Sequence, residues 1–280
     1  TLIRGLPRNN MTESEFELLI WAIGLHLGVA RPQGKSSNYI SEVRATGMNY
    51  RSAHGRGYNS NAGLDFHCDG CDLVALGCYN KAKSGGQSLI TSSISAWKTL
   101  NEERPDLAET ARNNFYFSRN EEEAVDESPY YVQPLFDFQD GRLFAKWNRN
   151  RVRNAQSLNG VPKLNNAQST CADLLDNILS RKKLMFTMWL EPGDLQFINN
   201  HIMLHSRTTF EDYKEPERKR LLFRLWIAPP NSVRLPKSWA DYFRSVEPGT
   251  VRGGIRGQNY DATCESFDER QSLSVGMRRQ

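Results

Sequence analysis

Leu64-Asp65-Phe66-His67-Cys68-Asp69-Gly70 is the stretch on which the interpretation of this chain depends. It places an imidazole and a carboxylate two residues apart, at His67 and Asp69, in a run that is typical of a strand edge. Residues i and i+2 of an extended chain project to the same face. The segment can therefore direct a ring nitrogen and a carboxylate oxygen at one point.

Two histidines and one carboxylate on one face of an ion form the site of non-haem Fe(II) oxygenases. His67 and Asp69 supply two of these three ligands. A His-x-Asp spacing also arises by chance, and the alternative is a hydrogen-bonded pair at the edge of a loop. The rest of the chain has to distinguish the two interpretations.

The composition is that of a globular protein with room for one large domain. The chain has 280 residues, of which 39% are hydrophobic and 10% aromatic. No apolar run approaches the roughly 20 residues that a membrane helix needs. The formal net charge is +4, and the basic residues are scattered among acids rather than gathered in a stripe. We therefore expect no nucleic-acid partner and no membrane, and the sequence leaves a homo-oligomer open.

The five cysteines are an odd number and are spread unevenly over the chain. This pattern favours a reducing compartment over a disulfide framework, and we expect a cytoplasmic protein. Cys68 and Cys71 form a Cys-x-x-Cys pair beside His67, which is a rival metal site. A structural zinc site normally has a second pair of ligands at short spacing, and only Cys78 lies nearby. A zinc protein that uses Cys68 and Cys71 is therefore kept as an alternative.

Helical and strand patterns are interspersed along the first 230 residues. Thr12 and Glu15 form a capping box before a helical pattern of apolar residues that ends at Gly28. Asp140-Gly141 predicts the turn of a hairpin within residues 136–148. Further strands are predicted at residues 2–4, 39–43, 72–79, 89–92, 184–190, 195–199 and 220–227, and further helices at 95–103, 106–112 and 166–181.

Many short strands with a few helices in one chain predict a mainly β fold with flanking helices, a β-sandwich or jelly roll. We expect a single domain over residues 1–230. Residues 231–280 are rich in Gly, Arg and Ser apart from a short apolar run at 239–243. They are predicted to form a peripheral C-terminal tail.

The second histidine has two candidates, His201 and His205. On a helix these two residues would share one face, as in a zinc protease. That motif also requires Glu directly after the first histidine, and Ile202 occupies this position. The sequence therefore argues against a hydrolase of this type.

Six short motifs occur in order between about residue 2 and residue 229. They are Leu64-Asp65-Phe66-His67-Cys68-Asp69, Gly85-Gly86-Gln87-Ser88, Pro192-Gly193-Asp194, Asn199-Asn200, His205-Ser206-Arg207, and Arg220-Leu221-Leu222-Phe223-Arg224-Leu225-Trp226. In their order and spacing the chain resembles the TauD/TfdA family of Fe(II)/2-oxoglutarate dioxygenases, including its clavaminate-synthase-like members. Cys68 departs from the family, which usually carries threonine or another small residue there.

The resemblance implies a role for six residues. His67, Asp69 and His205 match the iron ligands, and His201 is left as a neighbour without a role. Arg220 matches the arginine that binds the carboxylate of 2-oxoglutarate distal to the metal, and Ser88 matches the hydroxyl beside this arginine. Arg224 lies on the same face of the strand as Arg220, at a position that in relatives often holds an acidic group of the substrate.

The resemblance also implies the fold and the reaction. The fold is a double-stranded β-helix, or jelly roll, with residues 1–230 as the oxygenase domain. The cofactors are Fe(II), the cosubstrate 2-oxoglutarate, and O₂. The reaction releases succinate and CO₂ while a small, anionic or amino-acid-like molecule is hydroxylated, desaturated or cyclised. The alternatives are a non-catalytic jelly-roll protein that binds a small molecule, and the zinc protein described above.

Overall fold

Helix α1 (Glu13–Leu27) begins directly after the predicted capping box in the computed structural model, which describes residues 1–48 and 57–279. The Thr12 side chain accepts a hydrogen bond from the backbone N–H of Glu15, and the Glu15 carboxylate accepts one from the backbone N–H of Thr12. The other α-helices of the described ranges are α2 (Ser93–Glu103), α3 (Pro105–Ala111), α4 (Arg149–Ala155), α5 (Asn166–Leu179), α6 (Ala240–Phe243) and α7 (Ala262–Ser274).

Antiparallel strands make up the larger of two main sheets. Its order is β1 (Leu2–Ile3), β12 (Leu195–Asn199), β4 (Leu73–Asn80), β15 (Leu221–Ala228) and β2 (Val29–Arg31), and β3 (Ile40–Val43) also pairs with β15. Almost every residue of β4 and β15 is buried, so the centre of the sheet is covered on both faces. Helix α1 covers one face, where Phe16 and Ile20 pack against Phe223 and Leu225.

A smaller antiparallel sheet carries the strand on which His205 lies. Its order is β11 (Met185–Met188), β6 (Ser88–Ser92) and β13 (Met203–Arg207). Three further pairs complete the strands of the described residues. They are β5 (Ser84–Gly85) with β14 (Phe210–Glu211), β7 (Asn114–Ser118) with β8 (Tyr130–Pro134), and β9 (Phe136–Gln139) with β10 (Arg142–Ala145). The fold is thus mainly β with flanking helices, as predicted.

The predicted hairpin is present as β9 and β10. Asp140 and Gly141 have φ of 51° and 71°, the left-handed values that a tight two-residue hairpin turn requires. The hairpin ends one residue before Lys146, so its register fixes which side chains of the following segment reach the cavity described below.

Residues 231–280 are more than a peripheral tail, which corrects the expectation from composition. Leu235, Trp239 and Phe243 are buried in the largest core cluster, together with the apolar faces of α3 and α5. Arg31 of β2 forms a buried ion pair with Asp268 of α7 at 2.6 Å. The segment therefore completes the core, which its Gly- and Arg-rich composition does not indicate. No helix of the described ranges has both the length and the apolar character needed to cross a membrane.

Candidate metal centre and substrate cavity

The backbones of His67 and His205 are paired by two reciprocal hydrogen bonds. The N–H of His67 donates to the carbonyl of His205 at 3.0 Å, and the N–H of His205 donates to the carbonyl of His67 at 2.9 Å. Directly opposed residues of an antiparallel pair project to the same face. The two imidazole rings accordingly lie 4.4 Å apart, centroid to centroid. Residues 64–70 form isolated bridges here rather than the edge of a continuous strand.

Asp69 joins the two histidines because it lies two residues after His67. Its Oδ1 is 4.0 Å from Nε2 of His67, and its Oδ2 is 3.7 Å from Nε2 of His205. The ligand atoms of the three residues all lie within 4.8 Å of one another. Within the described ranges this is the one group of His, Cys, Asp and Glu residues with a spacing suited to an ion.

The protonation states of the three residues fit a divalent metal. Burial lowers the pKa of His67, and burial together with the neighbouring His67 lowers the pKa of His205 to about 3. Burial opposes ionisation of Asp69, but the Arg224 guanidinium and the hydrogen bond from the Trp226 indole favour the carboxylate, and the pKa of that carboxyl lies well below its usual range. Neutral imidazoles and an ionised carboxylate are the forms that bind metal.

Hydrogen bonds orient these side chains. Nδ1 of His67 lies 2.9 Å from the carbonyl oxygen of Asp65, an arrangement that places the proton on Nδ1 and leaves Nε2 free to bind an ion. The indole Nε1–H of Trp226 donates to Oδ2 of Asp69 at 3.0 Å. The amide oxygen of Asn200 accepts from the backbone N–H of Asp69 at 3.0 Å. Asp69 is therefore fixed at both its backbone and its carboxylate.

One face of β15 supplies a row of side chains to the same cavity. Arg220, just before the strand, and Leu222, Arg224 and Trp226 within it all line the cavity, as the two-residue repeat of a strand requires. Nη1 of Arg224 lies 3.5 Å from Oδ1 of Asp69. The guanidinium carbon of Arg224 lies 4.9 Å from the ring centroid of Trp226.

Arg220 is a buried cation that forms no salt bridge with the described residues. Its side chain is 6% exposed, and burial lowers its pKa to about 10. Its guanidinium makes a long hydrogen bond of 3.5 Å to the carbonyl of Val43, and no carboxylate of the described residues lies within 4.0 Å of it. Gly86 has a φ of 79°, and a Cβ there would lie 3.3 Å from Nε of Arg220. A buried guanidinium next to such a glycine is suited to a small carboxylate ligand.

Ser88 begins β6 and lines the cavity with Arg220. Its hydroxyl donates to Oε1 of Gln196 at 3.1 Å. The structure thus brings all six residues predicted from the sequence to one cavity: His67, Asp69, Ser88, His205, Arg220 and Arg224.

His201 lies outside this group. Its Nε2 is 2.8 Å from Oδ1 of Asp72, and Arg252 donates to both carboxylate oxygens of Asp72 at 2.5–3.1 Å. Its ring packs against Trp239 and Phe243. His201 therefore belongs to a buried ion network that ties the C-terminal segment to the start of β4.

Cys68 and Cys71 are both buried, and burial raises the pKa of the Cys68 thiol to about 11 and that of the Cys71 thiol well above its usual value. Zinc binds the thiolate, so raised thiol pKa values are unfavourable for it. The Cys71 thiol instead lies 3.3 Å from the carbonyl oxygen of Leu73. The environment is that of structural cysteines.

Several cavity residues cannot be found from the sequence alone. Lys146 lies beside Asp69, and burial lowers the pKa of its ammonium to about 8. Glu122 falls in an acidic segment that the sequence suggests is solvated, yet it is 3% exposed and pairs with Arg151 at 2.9 Å. Tyr58 also lines the cavity. The sequence contains no pattern that identifies these residues, because tertiary packing places each of them at the cavity.

The chain is similar to several known proteins. The model of the family described as Taurine catabolism dioxygenase TauD, TfdA family matches residues 1–226. The chain is 30% identical over 244 residues to the FR-33289 synthase of Streptomyces rubellomurinus (strain ATCC 31215), with 85% of this chain and 71% of that protein covered. It is 28% identical over 226 residues to the taurine hydroxylase-like protein SAT17 of Stachybotrys chartarum (strain CBS 109288 / IBT 7711). This second match covers 74% of the chain and spans only 56% of the relative.

The fold is similar to that of a crystal structure of asparagine oxygenase in complex with Fe(II), 2S,3S-3-hydroxyasparagine and succinate. The TM-score is 0.58 at 17% sequence identity, with 80% of this chain and 69% of that chain covered. At this level of identity the likeness concerns the fold.

Proposed function

The chain belongs to the TauD/TfdA family of Fe(II)/2-oxoglutarate-dependent dioxygenases, and on this premise we propose that it hydroxylates, desaturates or cyclises a small, anionic or amino-acid-like molecule. The observation that carries the proposal is the convergence of two imidazoles, one carboxylate and two arginines on a single cavity.

His67, Asp69 and His205 are the proposed ligands of Fe(II). Their donor set is the two-histidine, one-carboxylate set of non-haem iron oxygenases, and it leaves the other positions of the ion open. Bound iron with 2-oxoglutarate and O₂ supplies the oxidation, in which 2-oxoglutarate becomes succinate and CO₂ as the substrate is oxidised. Trp226 and Asp65 keep the carboxylate and the first imidazole oriented through the hydrogen bonds described above.

Arg220 and Ser88 are the proposed binding residues for 2-oxoglutarate. A planar guanidinium binds a carboxylate through two parallel hydrogen bonds, and a hydroxyl adds a further donor. No carboxylate of the described residues lies within 4.0 Å of the Arg220 guanidinium, which supports this role, because a ligand carboxylate would neutralise this buried charge.

Arg224 is the proposed anchor for an acidic group of the prime substrate. It lies at the metal centre, 3.5 Å from Asp69, four residues after Arg220 on the same face. The asparagine oxygenase of similar fold holds a hydroxylated amino acid, which supports a small amino-acid-like substrate. No nucleic acid or membrane is proposed as a partner.

The finer architecture is proposed to be a double-stranded β-helix, or jelly roll. The two antiparallel sheets described above, both of which contribute residues to the cavity of the candidate ligands, support it. Residues 1–230 are proposed as the oxygenase domain. Residues 231–280 complete the hydrophobic core of this domain. The free cysteines support a reducing, cytoplasmic location.

Succinate formation in a substrate screen tests the proposal. The protein is incubated with Fe(II), 2-oxoglutarate and a library of small acids and amino acids, and succinate is quantified with and without each compound. We expect substrate-stimulated succinate that is lost without iron and in Asp69→Ala. Binding of compounds without succinate would indicate a non-catalytic binding protein. Bound zinc that is lost in Cys71→Ser would indicate the zinc alternative.

A further inference from the structure

Lys146 lies on the segment that pairs with the candidate ligand stretch. The N–H of Cys68 donates to the carbonyl of Trp147 at 2.9 Å, and His67 forms a bridge with Asn148. Residues 146 and 148 of this extended segment project to one side, and both line the cavity. The Lys146 ammonium therefore enters the cavity beside the metal centre.

The contacts of this ammonium with the described residues include no salt bridge. Nζ donates to the backbone carbonyl of Asp69 at 2.8 Å and lies 4.9 Å from the ring centroid of Tyr242. An ammonium has three N–H donors, and no carboxylate oxygen of the described residues lies within 4.0 Å of this one. Arg151, another cation that lines the cavity, is paired with Glu122. Lys146 thus differs from a cation with a structural ion pair.

The charges of the residues that line the cavity indicate the charge of its ligand. Apart from the Arg151–Glu122 pair, the charged side chains that line the cavity are four cations, Lys146, Arg207, Arg220 and Arg224, and one carboxylate, Asp69. A divalent metal and the dianion 2-oxoglutarate neutralise each other when both are bound. More than one positive charge then remains among these described residues, and buried charges of one sign favour binding of the opposite sign.

We propose that Lys146 is a second substrate-binding cation and that the prime substrate is a dianion, one of whose acidic groups contacts the Lys146 ammonium. The inference rests on the proposed function, because it assigns the substrate class of the same cavity. The alternative is a substrate with a single acidic group, which Arg224 alone would bind.

Sulfate is a suitable probe, because it is a dianion that does not titrate near neutral pH. Sulfate is titrated by calorimetry into protein loaded with Fe(II) and 2-oxoglutarate under argon, with chloride at matched ionic strength as the reference. Lys146→Gln removes the charge but keeps a donor for the carbonyl of Asp69, whereas Lys146→Met removes both. Lys98→Gln, at an exposed position on α2, controls for the change in net charge.

We expect both Lys146 variants to bind sulfate at least about tenfold more weakly, which corresponds to about 1.4 kcal/mol. Lys98→Gln should match the wild type, and Lys146→Gln should keep wild-type affinity for Fe(II) and for 2-oxoglutarate. Wild-type sulfate affinity in Lys146→Gln, or no sulfate binding by the wild type, overturns the inference. Loss of iron binding in Lys146→Gln also overturns it, since Lys146 would then act on Asp69. Failure of the wild type to bind Fe(II) and 2-oxoglutarate overturns the proposed function itself.

Discussion

Trp226→Phe should weaken iron binding without removing an iron ligand. The Trp226 indole donates to Oδ2 of Asp69 at 3.0 Å, and the two residues are 3% and 7% exposed. Phenylalanine keeps an aromatic ring on β15 but has no donor. The Asp69 carboxylate then loses a partner that water cannot easily replace at this depth.

The size of the effect follows from the kind of hydrogen bond that is lost. A buried hydrogen bond to a charged group contributes about 1.5–3 kcal/mol. At about 1.4 kcal/mol per factor of ten, its loss weakens binding by about 10- to 100-fold. Replacement of the outer partners of metal ligands in other proteins has effects of the same order.

The assay is a titration of Fe(II) under argon in competition with a coloured chelator. Trp239→Phe is the matched control, because Trp239 is fully buried and its Nε1 has no hydrogen-bond partner in the described residues. We expect Trp239→Phe to bind iron as the wild type does. An iron affinity of Trp226→Phe within twofold of the wild type would refute the reasoning, as would equal losses in the two variants.

Three further predictions concern the cavity. Arg220→Ala should raise the apparent KM for 2-oxoglutarate by an amount consistent with about 2–5 kcal/mol. Arg224→Ala should mainly raise the KM for the prime substrate. Equal effects of both variants on 2-oxoglutarate alone would reject the assignment of the two arginines to different ligands. Gly86→Ala should weaken 2-oxoglutarate binding in calorimetry, because its Cβ would lie 3.3 Å from Nε of Arg220 at a φ of 79°; unchanged affinity would argue against a ligand at this place. The metal-free protein should become less stable as pH falls below about 6.5, because the pKa of His205 is lowered to about 3 and the unfolded chain therefore binds more protons in this range. The melting temperature between pH 6.5 and 4.5 measures this, and a pH dependence as steep in His205→Gln as in the wild type would contradict it.

Features with a local cause can be predicted from this sequence. The capping box at Thr12 places the start of α1, and Asp140-Gly141 places the hairpin. Arg220 and Arg224 can be assigned to one face because the two-residue repeat of a strand is itself local.

Features that depend on long-range pairing could not be predicted. Strand β13, which carries His205, is short and follows a turn, so its five residues show no decisive pattern. Trp226 reaches Asp69 across 157 positions of the chain, and Lys146 reaches it across 77. The buried role of residues 235–243 likewise depends on helices elsewhere in the chain, which composition does not reveal.

The assignment of the three iron ligands is tested most directly by the stoichiometry and affinity of Fe(II) binding under argon. The wild type should bind one Fe(II) per chain, and His67→Ala, Asp69→Ala and His205→Ala should each lose this site. His201→Gln should retain it, because His201 contacts Asp72 rather than the cavity. Retention of iron by His205→Ala together with its loss in His201→Gln would contradict the account.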